Sequence, residues 1–158
     1  MSNKFEEIIE KVLDHEGGYS FDSKDLGGET NWGITKRFYP ELDIKNLSKE
    51  DAKKIYYEDY WIKNKVDKVP DHIKYIYFDM CVNMGKKTAT KILQRAAVSK
   101  GKKISVDGGL GPITLNAIGN VEKERIRAYR VKYYVDLVNK KPEQEKFYFG
   151  WFKRSLEV

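Results

Sequence analysis

Apolar positions recur with helical spacing over almost the whole chain. In the first segment, apolar side chains at 5, 8, 9, 12 and 13 form one stripe, which predicts a helix over residues 4–15. Asn3, with Glu6 three residues later, is typical of a capping pair at the start of that helix. The pattern therefore predicts a chain made mainly of amphipathic helices.

Similar stripes predict helices in the later segments. Ser48 and Asp51 mark the start of a helix through "LSKEDAKKIYYEDYWIK", and Pro70 and Gly85 delimit another through "PDHIKYIYFDMCVNMG". Further helices are predicted in "KTATKILQRAAVSKG", "PITLNAIG", "NVEKERIRAYRVKYYVDLVNK" and "PEQEKFYFGWFKRSLE". Only residues 17–35 lack helical spacing at length, with a shorter break at 101–112, where "DGGLG" is read as a turn. The expected fold class is mainly α, with a short β-hairpin or loop near residues 17–35.

Composition narrows the class of protein. A chain of 158 residues with 41% hydrophobic and 13% aromatic residues is globular and long enough for a real core. No apolar run approaches the roughly 20 residues of a membrane span, so no stable membrane insertion is expected. One cysteine, Cys81, excludes an internal disulfide, and two histidines make a structural zinc site improbable. We predict no metal and no cofactor.

The charge and the N-terminal segment bear on partners and location. A net charge of +6 favours an anionic partner such as nucleic acid, lipid headgroups or an acidic cell wall polymer. The first 16 residues are acidic and amphipathic, unlike a secretory signal. We expect a protein made in the cytoplasm without a signal peptide, which acts on the cell wall or periplasm after release.

Carboxylates are the best candidates for chemistry, because the chain has no G-x-S-x-G, P-loop or dinucleotide fingerprint. Glu16 ends the first predicted helix and precedes Gly17 and Gly18, which leave room for a bulky substrate. Partial burial there favours a protonated carboxyl, which can donate a proton to a leaving oxygen. A second carboxylate across a cleft, Asp22 or Asp25, can stabilise positive charge on a sugar ring. An acid before two glycines is also common at solvated helix ends, so the position alone leaves both readings open.

The stretch "EGGYSFDSKDLGGETNWGIT" resembles the signature of glycoside hydrolase family 108. The later stretches "YFDMCVNMG", "ATKILQRAAV", "VDGGLGPITLNAI" and "FGWFKR" are similar to that family's other motifs, so the resemblance covers nearly the whole chain. The signature positions that match are Glu16, Gly17, Gly18, Tyr19, Asp25, Gly27, Gly28, Thr30, Gly33, Ile34 and Thr35.

The resemblance implies a lysozyme-like orthogonal helical domain with N-acetylmuramidase activity, as in phage endolysins. It implies a catalytic region over residues 1–85 and a helical peptidoglycan-binding-like region over 86–158, packed as one globular unit. Glu16 is then the catalytic acid, Asp25 its partner carboxylate, and Thr30 a water-holding hydroxyl. Thr30 comes one residue early for the Glu-x8-Asp-x5-Thr spacing of phage-type lysozymes, and Asn31 stands at the expected place.

Further expectations concern the substrate and the alternatives. Tyr19, Asn31 and Asn83 are the expected substrate-binding residues, and peptidoglycan glycan strands are the expected partner of a monomeric chain. One alternative is a lytic transglycosylase, and another is a non-catalytic cell-wall-binding or secretion-activator protein. A nucleic-acid-binding domain is not expected, because no helix-turn-helix or zinc signature is present.

Overall fold

The computed structural model describes residues 1–23 and 28–158, and these are mainly α-helical with one short antiparallel sheet. The mainly-α class and the predicted β-hairpin are confirmed. Contacts divide the chain into two compact units, Met1–Lys63 and Asn64–Val158, called here the first and second units. The boundary expected at residue 85 concerns the family regions and stays a prediction.

The first unit begins with α1, Asn3–Glu16, and its predicted apolar stripe is buried. Phe5, at the start of that stripe, is fully buried and meets the ring of Trp61 edge-on at 5.3 Å. The helix is capped by Ser2 instead of Asn3, since the Ser2 hydroxyl accepts a hydrogen bond from the Phe5 amide at 3.2 Å. The capping prediction was therefore wrong by one residue, because Asn3 already has a helical position.

Three short strands follow α1, namely β1 (Ser20–Phe21), β2 (Glu29–Asn31) and β3 (Ile34–Thr35). They form an antiparallel sheet in the order β1-β2-β3, in which Thr30 pairs with both Ser20 and Thr35. The β2–β3 connection is two residues long, and both residues have positive φ, 53° at Trp32 and 76° at Gly33. Such turns match the right-handed twist of hairpin strands, which explains the compact connection.

The helix predicted through "LSKEDAKKIYYEDYWIK" changes form part-way. An α-helix, α2, spans Lys49–Ile55, and the Ser48 hydroxyl caps it by accepting from the Asp51 amide at 3.1 Å. The next seven residues, Tyr56–Ile62, form a π-helix, which we call the π segment. Each π turn carries more than 3.6 residues, so side chains after Ile55 leave the α-helical stripe that the sequence predicts.

All the regular secondary structure that is described in the second unit is helical. Its α-helices are α3 (Asp71–Met84), α4 (Lys86–Ser99), α5 (Pro112–Ala117), α6 (Lys123–Lys140) and α7 (Glu145–Glu157), with 3-10 turns at Val66–Lys68 and Pro142–Gln144. Helix α3 packs against α4 and α6, and α6 packs against α7. No described helix combines the length and apolar character needed to cross a membrane.

The most buried charges of the second unit meet where α3, α6 and α7 come together. Asp79 has no exposed surface and accepts hydrogen bonds from Arg130 at 2.7 Å and from Arg154 at 2.8 Å. Arg130 is also fully buried, and its Nη1 has no hydrogen-bond partner among the residues described. This Asp79 cluster ties three helices together by charge, because each buried ion depends on its partners.

Gln94 organises the predicted "DGGLG" turn from α4. Its side-chain amide nitrogen lies 2.9 Å from Asp107 Oδ1 and 3.1 Å from the Gly109 carbonyl, and its oxygen accepts from the Gly108 amide at 2.8 Å. Gln94 is 1% exposed, so it supplies hydrogen bonds that water cannot. The turn leads directly into α5, as predicted.

Candidate active site

Glu16 is the last residue of α1, and its side chain is half-buried. The helix ends there because Gly17 adopts a φ of 72°, which an L side chain rarely takes. A Cβ atom placed on Gly17 or Gly18 meets no other atom within 4 Å, so the space beside both glycines is open. The helix end thus holds a carboxyl next to unobstructed backbone, as the sequence predicted.

The β2–β3 turn is pressed against that carboxyl. A Cβ atom on Gly33 would lie 2.7 Å from Glu16 Oε2 and 2.5 Å from the Tyr56 hydroxyl oxygen. Both separations are too short for a real Cβ contact, and the φ of 76° at Gly33 also favours glycine. The Glu16 carboxylate, the Gly33 backbone and the Tyr56 hydroxyl are therefore immediate neighbours.

Trp32, the other turn residue, holds a φ of 53° that is uncommon for a bulky side chain. Two hydrogen bonds keep it there. Its indole N–H donates to the Leu47 carbonyl at 3.1 Å, and its own carbonyl accepts from the Tyr56 hydroxyl at 3.0 Å. The strained turn is thus anchored on both sides, and the anchoring sets where Gly33 meets Glu16.

Tyr60 from the π segment and Tyr39 from the loop between β3 and α2 extend this environment. Burial raises the pKa of Tyr60, and the carboxylates of Asp59 and Glu16 raise it further, so Tyr60 remains a protonated hydroxyl at neutral pH. Tyr39 donates to Asp59 Oδ2 at 2.7 Å. The Lys63 ammonium and then the Tyr39 hydroxyl lower the pKa of the Asp59 carboxyl, although its desolvation opposes them.

Sequence reasoning missed Tyr39, Tyr56, Asp59 and Tyr60 as neighbours of the site. The sequence predicts an ordinary α-helix through the segment that holds Tyr56, Asp59 and Tyr60, and α-helical spacing does not describe a π-helix. The only available signal was the density of tyrosines and acids in "YYEDYW".

The predicted residues on the sheet have different surroundings. Tyr19 is 44% exposed, and its hydroxyl donates to Glu29 Oε1 at 3.2 Å. Thr30 is half-buried in the central strand. Asn31 is only 6% exposed, and its amide donates to the Ile44 carbonyl at 3.1 Å, which anchors the loop before α2. Asn31 therefore has a structural task, and its role in substrate binding stays a prediction.

Asp25 and Asn83 are the two predicted residues that remain. Asp25 falls outside the described residues, so its role also stays a prediction. Asn83 belongs to the second unit, where its side-chain oxygen accepts a hydrogen bond from the Tyr134 hydroxyl. Within the described part of the chain, no three His, Cys, Asp or Glu side chains converge as metal ligands.

Comparisons with known proteins point to one kind of chemistry. Residues 9–85 match the family described as glycosyl hydrolase 108, and residues 88–156 match the family described as predicted peptidoglycan domain. The solved structure titled "Structure of Brucella abortus SagA" is similar, with a TM-score of 0.76 and 28% sequence identity over 97% of this chain and 90% of that chain. That similarity supports the lysozyme-like, mainly-α fold predicted from the sequence. No curated protein matches the chain significantly.

Proposed function

Because the chain belongs to glycosyl hydrolase family 108 through residues 9–85, we propose that it is an N-acetylmuramidase of peptidoglycan. A glycosyl hydrolase region followed by a peptidoglycan domain makes it a peptidoglycan hydrolase. The proposed bond joins N-acetylmuramic acid to N-acetylglucosamine. The observation that carries the proposal is the position of Glu16, half-buried against Gly33 and beside the open backbone of Gly17 and Gly18.

In the proposed mechanism, Glu16 acts as the general acid. Its carboxyl proton passes to the glycosidic oxygen as the bond from that oxygen to the muramic acid C1 breaks, and the electron pair leaves with the oxygen. Positive charge then develops on the muramic acid ring. Water adds to C1 and loses its proton, which returns the acid to its starting state and completes hydrolysis.

Asp25 and Thr30 have supporting roles in the proposal. The Asp25 carboxylate stabilises the positively charged ring or orients the attacking water, as the family resemblance implies. The Thr30 hydroxyl lies on the central strand of the sheet that begins four residues after Glu16, and it helps to hold the water. The neighbouring strand residues Ser20 and Thr35, which pair with Thr30, add two hydroxyl side chains to the same row.

Exposed aromatic side chains at the sheet are suited to sugar binding. Tyr19 is 44% exposed and Phe21, two residues along, is 62% exposed. Aromatic faces bind apolar faces of sugar rings, while the Tyr19 hydroxyl adds a polar contact. We therefore retain Tyr19 as a substrate-binding residue and add Phe21. Substrate binding by Asn31 and Asn83 is proposed from the sequence alone.

The second region and the place of action complete the proposal. Residues 86–158 hold the protein on peptidoglycan while residues 1–85 cleave it, in one monomeric chain. The enzyme acts on the cell wall or periplasm after release, as a phage endolysin does. The net charge of +6 favours association with anionic wall polymers, and this contribution weakens as salt increases.

The decisive experiment identifies the new chain ends released from purified sacculi. Products are reduced with borohydride and analysed by mass spectrometry, and reduced muramic acid ends support the proposal. Reduced glucosamine ends contradict it, and 1,6-anhydromuramic acid ends identify a lytic transglycosylase. Asp25→Asn is expected to lower the rate less than Glu16→Gln. Binding to sacculi without release of any ends indicates the non-catalytic alternative.

A further inference from the structure

A concave surface lies in the second unit, between α4 and α6. It encloses a cavity of about 230 Å³. Thr88, Lys91 and Arg95 line it from α4, at the i, i+3 and i+7 positions of one helix face. Tyr133, Asp136 and Lys140 line it from α6 with the same spacing. Two packed helices therefore present fixed rows of polar side chains to one cavity, here called the α4–α6 pocket.

The α4–α6 pocket is lined by three cations and one acid, and Lys91 also interacts electrostatically with Asp107. Lys91, Arg95 and Lys140 form no salt bridge with any residue that the structure describes. The one acid of the pocket, Asp136, lies 3.4 Å from Lys132 on its own helix. Lys91 and Arg95 are one helical turn apart, and like charges at that spacing oppose helix formation. Folding alone gives no reason to gather these cations, whereas an anionic ligand does.

The groups in the pocket favour a carboxylate-bearing peptide. The Arg95 guanidinium can hold a carboxylate with two parallel hydrogen bonds, and the Lys91 ammonium adds charge. The hydroxyls of Thr88 and Tyr133 can donate to the same ligand. Asp136 repels a polyphosphate chain but attracts an amine, so the pocket is complementary to a ligand with several carboxylates and one ammonium.

We infer that the α4–α6 pocket binds the peptide stem of peptidoglycan. This inference rests on the proposed function, which places the chain on that polymer. Stem peptides carry free carboxylates and, where they are not cross-linked, the side-chain amine of a diamino acid. Lys91 and Arg95 hold the carboxylates, and Asp136 pairs with the amine. The pocket then recognises wall carrying uncross-linked stems, a feature of the substrate separate from its glycan.

The test measures binding of soluble tetrapeptide stems to the full chain carrying Glu16→Gln. Tetrapeptides with lysine and with diaminopimelate are titrated by calorimetry, and NMR locates the residues that shift. We expect Lys91→Gln combined with Arg95→Gln to weaken binding about tenfold or more. Asp136→Asn should weaken binding of the free-amine peptide and leave binding of its N-acetylated form within twofold.

The matched control removes the same charge elsewhere on the second unit. Lys103→Gln combined with Lys153→Gln changes two exposed lysines that do not line the pocket, and binding should stay within twofold. An equal loss of peptide binding in both double variants overturns the inference, because binding would then depend only on the net charge of the protein. Polyglycerol phosphate that binds the pocket more tightly than the peptides also overturns it.

Two outcomes separate this inference from the proposed function. If sacculi release muramic acid ends but tetrapeptides shift the NMR signal of no pocket residue, the inference about the pocket is wrong and the proposed function stands. If tetrapeptides bind the pocket but sacculi release no new chain ends, the proposed muramidase activity is wrong and the pocket assignment stands.

Discussion

Two carboxylates, one in each unit, are held by opposite means. Asp79 in the second unit is fully buried and bound by the guanidinium groups of Arg130 and Arg154. Glu16 in the first unit is half-buried at a helix end, against the backbone of Gly33 and beside the Tyr56 hydroxyl. Asp79 is held mainly by opposite charge, whereas the immediate packing around Glu16 comes from backbone shape and a neutral hydroxyl.

The difference is the one we expect between a structural carboxylate, Asp79, and the proposed catalytic acid, Glu16. Removing the Asp79 charge leaves two arginines in the protein interior without their counter-ion, so its charge is needed for folding. A catalytic acid must gain and lose a proton during each turnover, which two bound arginines would prevent. The environment of Glu16 fixes the position of the carboxyl while leaving one side open.

The largest effect is expected from Glu16→Gln, which removes the proposed acid and keeps its shape. Release of reducing ends from sacculi should fall by about 10²- to 10⁴-fold, the usual contribution of a general acid. The free energy of unfolding should change by less than about 1 kcal/mol, because the side chain is only half-buried. Wild-type rates in this variant would remove Glu16 from the mechanism.

Asp79→Asn should have the opposite signature, with lost stability as its primary effect. Arg130 and Arg154 would both lose their ion pair with Asp79 while keeping their charges, which costs about 3–5 kcal/mol. The unfolding midpoint, measured by circular dichroism, should fall by about 10 °C or more. Glu7→Gln is the matched control, because Glu7 pairs with Lys4 and Lys11 while 54% exposed, and this change should leave the unfolding midpoint almost unchanged. A similar loss in both variants would contradict the assigned role of Asp79.

Gly33→Ala tests whether backbone shape positions Glu16. The new Cβ would overlap Glu16 Oε2 and the Tyr56 hydroxyl, and the positive φ adds about 1–2 kcal/mol of strain. Activity should fall more than tenfold as the carboxylate is displaced. Gly150→Ala on α7 meets no atom within 4 Å and should instead gain about 0.5–1 kcal/mol in stability. Full activity in Gly33→Ala would show that the close approach is not required.

Tyr56→Phe removes only the hydroxyl that holds the β2–β3 turn. Losing the hydrogen bond to the Trp32 carbonyl should cost about 0.5–1.5 kcal/mol, measured by urea unfolding. We expect a few-fold decrease in activity because the turn then holds Glu16 less firmly. Tyr148→Phe serves as the control, since that hydroxyl has no hydrogen bond to a described residue, and it should change neither quantity. Equal effects in the two variants would argue against the anchor.

The smallest effect concerns Cys81, which lies near Asp79 in sequence on the buried face of α3. Burial raises the pKa of the Cys81 thiol to about 12, so almost no thiolate forms in the folded protein at pH 8. Iodoacetamide should label the native chain very slowly and the urea-unfolded chain at the rate of an ordinary cysteine. Rapid native labelling would show that this part of the second unit opens more readily than its burial suggests.

Much of the fold follows from local pattern. The α1 stripe, the end of α1 at Gly17 and the α3 termination at Gly85 were predicted from spacing and glycine. The cap at Ser2 was missed because Ser2 and Asn3 both suit the position, and only the helix start decides between them. The π segment was missed because the predicted stripe assumes 3.6 residues per turn throughout the helix.

The sequence by itself determined the mainly helical class, the position of Glu16 before two glycines and the family signature. These depend on neighbours within a few residues, where periodicity and backbone preference act. Tertiary structure alone decided that Gly33 and Tyr56 pack against Glu16, that Asp79 meets arginines 51 and 75 residues away, and that two helices gather three cations in one pocket. Such contacts join segments that are distant in sequence, so local sequence patterns do not predict them.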